Sequence, residues 1–379
     1  MLELPPLGLY IHIPWCIKKC PYCDFNSHQA GGVLDEQAYL DALLHDLELD
    51  LSLIQSRPIS SIFIGGGTPS LLSQHFYTSL IHSIRGMINL AEDLEITLEA
   101  NPGTAESERF SGYRQAGINR LSLGIQSFDD LQLQALGRIH DSAEARRSIE
   151  IARTAGFDNF NLDLMFGLPG QSHKAALGDL KSAVILEPEH LSWYQLTIEP
   201  NTEFYSNPPV LPEENETLQM LIRGYEFLKS AGYQQYETSA WSREHRQCRH
   251  NLNYWHFGDY LGIGAGAHGK ITLPEKNHVV RTRKTRQPKS YLAVKGNYIA
   301  QTQILQKEEL KIEFLMNALR LTDGFEISLF NQRTGNSFSA IEKSLEYLFE
   351  QNMLKQVKEK VVPTSRGQLL LNSMLEAFL

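Results

Sequence analysis

Between residue 7 and about residue 198, six short apolar runs alternate with longer segments whose apolar residues recur at helical spacing. That alternation constrains the fold most, because a run apolar on both faces must be covered on both faces, and the intervening helices supply the cover. The runs lie at 7–13, 59–64, 94–99, 118–125, 160–165 and 191–198. In the first helical segment Tyr39, Leu43, Leu47, Leu51 and Ile54 fall near one face, and Asp35 and Glu36 suit the positive N-terminal end. Further helices are predicted over 74–88, 105–115, 143–154 and 173–186. Six βα units of this kind predict an α/β fold, a partial (βα)6 TIM-like barrel.

A parallel barrel places its ligands at the C-terminal ends of its strands, so the residues after each run carry the functional information. After the first come Cys16, Cys20 and Cys23, and after the second Gly65-Gly66-Gly67-Thr68-Pro69. Glu99-Ala100-Asn101-Pro102, Gln126-Ser127 and Asp163 close to Gly167-Leu168-Pro169-Gly170 follow. All are expected to converge on one mouth. Past Glu199, a proline-rich connection over 207–212 leads to a helix over 213–230, a segment over 233–270 rich in aromatics and histidines, and a basic loop over 276–289. From about residue 307, helices and a strand pair within 355–362 predict a C-terminal helical domain resembling a winged helix. The expected division is 1–200 for the barrel, 201–300 for an extension, and 301–379 for the C-terminal domain.

Four cysteines, three of them in one octapeptide, do not form the dispersed framework of a secreted disulfide scaffold. A reducing, cytoplasmic setting is expected, with no basic leader at the N-terminus and no apolar stretch of membrane-spanning length. The net charge of -9 gives no general attraction to nucleic acid, so the winged-helix likeness is assigned to a lid or docking role and no nucleic-acid partner is expected.

The spacing C-x3-C-x2-C folds three thiols round one face of a tight loop, and thiolates are the soft ligands iron–sulfur clusters require. Three ligands for four irons leave one iron open to a small molecule. A zinc site completed by His28 or Asp24 is the competing reading. Lys18 and Lys19 stand beside the thiols, where they either offset negative charge or face solvent, and Tyr22 lies between two of them. The Gly65-Gly66-Gly67 turn lets backbone groups approach a ligand closely, and no Gly-Lys-Ser/Thr follows to make it a phosphate loop. Glu99 and Gln126 are candidates for ribose hydroxyls, Arg138 for a carboxylate through its planar fork, and Asp163 for a further polar contact.

Tyr10-Ile11-His12-Ile13-Pro14, the cysteine loop, Gly-Gly-Gly-Thr-Pro, Glu99, Gln126, Arg138 and Asp163 together resemble the radical S-adenosylmethionine (SAM) superfamily. The likeness covers nearly the whole chain and is closest to the branch holding oxygen-independent coproporphyrinogen III oxidase and its sister, the haem chaperones. It implies that Cys16, Cys20 and Cys23 hold a [4Fe–4S] cluster whose open iron chelates the amino and carboxylate groups of SAM. It further implies that Tyr10, Tyr22, Gly66, Gly67, Thr68, Glu99, Gln126, Arg138 and Asp163 line the SAM site. The oxidase pattern continues C-x3-C-x2-C-x-C, whereas Cys23 is followed here by Asp24 and Phe25.

His250-Asn251-Leu252-Asn253-Tyr254-Trp255 is similar to the H-N-x-x-Y-W motif of the haem chaperones. The expected cargo is haem, with His250 ranked first as axial ligand, His268 second and Cys248 third. Two basic groups, Arg243, Arg246 and Arg249, and Arg281, Arg283, Lys284 and Arg286, are candidates for its propionates. The resemblance implies a haem chaperone without coproporphyrinogen oxidase activity, handing haem to an acceptor protein at the membrane, as a monomer or a homodimer. The alternative is the oxidase itself.

Overall fold

The computed structural model describes residues 2–104 and 107–379, so the predicted helix start at Ala105 lies outside the described residues. All six predicted runs are strands: β1 (Leu7–Ile13), β2 (Ile59–Gly66), β3 (Leu90–Ala100), β4 (Arg120–Gln126), β5 (Phe160–Phe166) and β6 (His190–Gln195). They pair in parallel in sequence order. The sixth stops short of its predicted end because Leu196 leaves the sheet and packs with Met165 and Leu168 in a small separate cluster.

The covering helices are α1 (Glu36–Asp50), α2 (Gln74–Met87), α3 (Ser107–Ala116), α4 (Ser142–Thr154) and α5 (His173–Ile185). Their starts follow from local sequence. Asp35, Ser73 and Ser172 each accept a first-turn backbone N–H, and Asp141 with Glu144 forms a reciprocal capping box. Such side chains satisfy donors that a helix start leaves open, a contribution of about 1 kcal/mol each.

The sheet does not stop at six strands. After α6 (Glu214–Ser230), the strands β7 (Gln234–Glu237) and β8 (Ala240–Ser242) extend it antiparallel beyond β6. A short helix, α7 (Arg249–Trp255), then leads into β9 (Asp259–Ile263), which pairs in parallel with the free side of β1. A wing of β10 (His268–Leu273), β11 (His278–Lys284) and β12 (Ile299–Ile304) completes a twelve-stranded sheet in the order β12-β11-β10-β9-β1-β2-β3-β4-β5-β6-β8-β7. Half of the expected basic loop is therefore strand. Arg281 and Arg283 share one face of β11, and Lys284 is carried inward as an ion-pair partner instead of outward as a clamp.

Buried ion pairs tie this wing to the barrel. Lys284 Nζ donates to Asp46 at 2.6 Å and to Asp50 at 2.7 Å, both on α1, and Tyr291 and the Gly264 N–H also donate to Asp46. Asp259, at the start of β9, accepts from Arg57 at 2.8 Å, from Lys270 at 3.2 Å and from Thr272. Removing one partner from such a cluster strands a buried charge, at a cost of about 3–5 kcal/mol.

The C-terminal segment has its own apolar core, built round Phe314, Leu315, Phe330, Leu345 and Val361, which also takes in Leu2, Phe257 and Val279. Helices α8 (Lys307–Ala318) and α9 (Ser339–Glu350) precede the hairpin β13 (Leu354–Val357) and β14 (Lys360–Pro363), an order like that of a winged helix.

Candidate functional site

The C-terminal ends of β1 to β6 surround a cavity of about 290 Å3. Cys16, Cys20 and Cys23 line it on one side. Gly66, Gly67 and Thr68 form its second wall, and Glu99, Gln126, Arg138, Asp163 and Tyr22 complete it. The strand order thus brings together residues spread over nearly 150 positions of sequence.

The cysteine loop owes its shape to the glycine turn. The Gly67 N–H donates to Ile13 O and the Thr68 N–H to Trp15 O, both at 2.7 Å. Gly66 has φ +116, and a Cβ there would fall 2.5 Å from the His12 ring, so no other residue fits. Its N–H donates to Glu99 at 3.0 Å. Asn26 fixes the far end of the loop, its amide donating at 2.9 Å to both Ala265 O and Arg286 O.

No group of three or more His, Cys, Asp or Glu gathers into a single-ion site among the described residues, so the zinc alternative with His28 or Asp24 finds no preformed cage. Thiols spread round a cavity suit a polynuclear cluster better. Burial raises the pKa of the Cys16 and Cys23 thiols, and a soft cation is what would reverse that penalty. Lys18 and Lys19 are exposed, with Lys19 donating to Phe25 O.

The polar wall is largely pre-organised. The Arg138 fork donates to Asn101 at 2.6 Å and to Gly124 O at 2.8 Å, and it reaches Cys20 Sγ at 3.6 Å, while its buried Nε has no partner. Gln126 holds a positive φ of 69, an unusual conformation for a side-chain-bearing residue, and accepts from Tyr194 at 2.9 Å. Burial, with the charge of Asp163 behind it, pushes the Glu99 pKa up to about 8. Asp163 accepts from Ser122 at 2.9 Å and Asn161 at 2.8 Å. Asn101 and Tyr194 are site residues that the motif pattern did not single out. Asn101 sits directly after the Glu99 strand end, which was the available signal.

Tyr10 does not line this cavity, but it keeps two of its expected partners, Gly66 and Glu99, beside it. It lines a neighbouring cavity of about 300 Å3, which shares Phe25, Gly66 and Glu99 with the first and is also bounded by Tyr254, Tyr260 and His268.

His250 and Cys248 occupy the opposite end of the barrel. Helix α7 closes the N-terminal ends of the strands, with His250 1 % exposed, its Nδ1 bonded to Ser61 Oγ at 2.9 Å and its ring stacked on Phe63 at 5.2 Å. Gly8 leaves room for it, since a Cβ there would stand 3.3 Å from the imidazole. Burial, with Arg120 nearby, lowers its pKa to about 3. Cys248 is equally enclosed beside Glu95, and burial raises its thiol pKa to about 12. In this conformation neither first-ranked His250 nor third-ranked Cys248 reaches solvent. His268 is exposed.

Most of the expected propionate cations have protein partners. Arg281 binds Glu313 and Tyr260, Lys284 is buried, Arg286 donates to Asn26, Arg249 pairs with Asp93, and Arg243 donates to Ala231 O. A basic strand therefore does not amount to a free basic clamp.

Residues 10–182 match the model of the Radical SAM superfamily, and residues 305–370 match that of the HemN C-terminal domain. Over its whole length the chain is 50% identical to "Heme chaperone HemW" of Haemophilus influenzae, covering 99% of that protein, and 49% identical to its namesake in Escherichia coli, covering 100%. The Bacillus subtilis namesake is 35% identical, with 98% of each chain covered. Among solved structures, coproporphyrinogen III oxidase (HemN) from Escherichia coli superposes with a TM-score of 0.83 over 99% of this chain and 90% of its own, at 24% identity, a likeness of fold.

Proposed function

The chain belongs to the radical SAM superfamily and, within it, to the family of the heme chaperone HemW, and on that premise we propose that it binds haem and hands it to an acceptor protein. Cys16, Cys20 and Cys23 would hold a [4Fe–4S] cluster. Gly66, Gly67, Thr68, Glu99, Gln126, Arg138, Asp163 and Tyr22 would hold SAM beside it, and Tyr10 would close the methionine end from the adjoining cavity. When bound, such a cluster supplies electrons and a chelating iron for SAM. The protein's own part is to orient and to shield. Arg138 places a cation beside Cys20 and offers a buried, unpartnered Nε, the Gly66 turn presents backbone, and Glu99 and Asp163 offer acceptors for hydroxyls.

The observation that carries a chaperone over an oxidase is at the loop itself. Asp24 and Phe25 stand where the oxidase pattern continues to a fourth cysteine, and Phe25 is 57 % exposed at the junction of the two cavities. No helix among the described residues is long and apolar enough to cross a membrane, in keeping with a cytoplasmic carrier that meets a membrane acceptor by contact. The division at 1–200, 201–300 and 301–379 is our working one; the separate C-terminal core supports the boundary near 301, whereas a single apolar core and sheet run across the one at 200.

Anaerobic reconstitution of the cluster, followed by parallel assays of haem titration and coproporphyrinogen turnover, tests the proposal. Stoichiometric haem uptake without turnover is expected. Conversion to protoporphyrinogen would replace the carrier with the oxidase.

A further inference from the structure

Haem asks four things of a protein surface: an imidazole or thiolate the iron can reach, an apolar or aromatic wall, a cation for its propionates, and an opening wide enough for the macrocycle. His250 and Cys248 fail the first and the last, being sealed on the inner face and at the start of α7. The second cavity offers an imidazole and an aromatic wall in its own lining, and a cation stands on the strand beside it. Tyr10, Tyr254 and Tyr260 give it an aromatic wall, and exposed Phe25 stands at its edge next to the cysteine loop. His268 stands exposed at its lip, on the first residue of β10.

Directly across the antiparallel pair from His268 is Arg283. Residues directly opposite in such a pair share a face of the sheet, with Cβ atoms about 4.5–5.5 Å apart. Arg283 is exposed and, unlike Arg281, Lys284 and Arg286 around it, makes no ion pair or side-chain hydrogen bond among the described residues. Partial desolvation, with Arg283 and Arg281 nearby, lowers the His268 pKa, which keeps the imidazole in the neutral form a metal requires.

The H-N-x-x-Y-W segment then has a different part to play. His250 and Tyr254 are one helical turn apart and meet edge to face at 4.8 Å, and Tyr254 meets Tyr260 in the same way at 4.4 Å. His250 is the foundation and Tyr254 the wall it holds in place.

Resting on the carrier reading above, we propose that haem docks in this second cavity, its iron taken by His268, a propionate by Arg283, and one porphyrin face laid against Tyr254. The site abuts the cluster cavity, so cargo and SAM would share the walls formed by Phe25, Gly66 and Glu99.

The test is haem titration of the full-length, cluster-reconstituted protein, read by Soret absorbance and by the spin-state signature of the iron. His268→Ala should weaken binding about tenfold or more and abolish the imidazole signature, with free imidazole restoring the signature. Arg283→Glu should weaken binding about tenfold and leave the ligation spectrum as in wild type. His250→Ala should lower thermal stability while its folded fraction keeps the wild-type ligation spectrum. A wild-type spectrum and affinity in His268→Ala would overturn the proposal, as would loss of the imidazole signature in folded His250→Ala alone. Failure of the wild-type protein to take up haem would instead sink the carrier reading itself.

Discussion

The two ends of the same six strands carry similar residue types put to opposite uses. At the mouth, the thiols, Glu99 and Arg138 face a cavity and keep valences turned toward it. At the floor, His250, Cys248, Glu95 and Tyr236 turn toward one another. There His190 bridges Asn161 at 2.6 Å and Tyr236 at 2.8 Å, Tyr236 accepts from the Cys248 N–H, and Glu95 accepts from the Arg249 and His250 N–H groups that open α7. Polar residues inside a barrel are thus no guide to a ligand by themselves. What distinguishes the ends is access: both keep a buried atom without a partner, Arg138 Nε at the mouth and His250 Nε2 at the floor, but only the mouth opens on a cavity.

The sharpest way to test that contrast is to remove a thiol from one end and an imidazole from the other. Cys23→Ser should cut reconstituted iron to about a tenth of wild type or less, with little change in apo thermal stability, since the Cys23 thiol makes only a long contact to the Ser27 hydroxyl at 3.7 Å and a hydroxyl in its place keeps that polarity. Iron content and apo melting curves read the two effects separately. Conversely, His250→Ala should cost about 3 kcal/mol of stability through the lost Phe63 and Tyr254 contacts and the stranded Ser61 hydroxyl. Denaturant unfolding checks this, and a cost near zero would make the floor dispensable.

Glu99 refines the comparison through pH. Its carboxyl ionises near pH 4.5 unfolded but only at about pH 8 in the folded chain, so folding takes up a proton between those values and apo stability falls as pH rises from about 4.5 to 8. Glu99→Gln should flatten that slope and melt above wild type at pH 8, while binding SAM more weakly by calorimetry. His250 has the reverse sign. Kept neutral in the fold and protonated near pH 6.5 when unfolded, it removes stability as pH falls from about 6.5 to 3. The smallest effect is expected from Ser61→Ala, which leaves His250 Nδ1 without its partner at a cost of about 1–2 kcal/mol.

The barrel was legible because burial on both faces writes strands as apolar runs, and because Asp35, Ser73, Asp141 and Ser172 mark helix starts locally. The mouth was legible because parallel strands put every strand end on one side. The wing was not. β11 reads as a charged loop because Arg281, Arg283 and the inward Lys284 crowd its second half, and the carboxylates that neutralise Lys284 lie more than 230 positions earlier. The placement of His250 was equally hidden, since a histidine followed four residues later by tyrosine reads alike whether its helix faces solvent or seals a barrel.

The Asn26 tether has a consequence in time as well as in space. The loop that carries the three thiols is pinned by a contact 260 residues further along, at Arg286. At ~5–20 residues per second, synthesis of that stretch lasts roughly 13–52 s. For most of that interval the cysteines have been made and their clasp has not, so the youngest form of the protein is also the one whose thiols are least protected from oxidation or from the wrong metal.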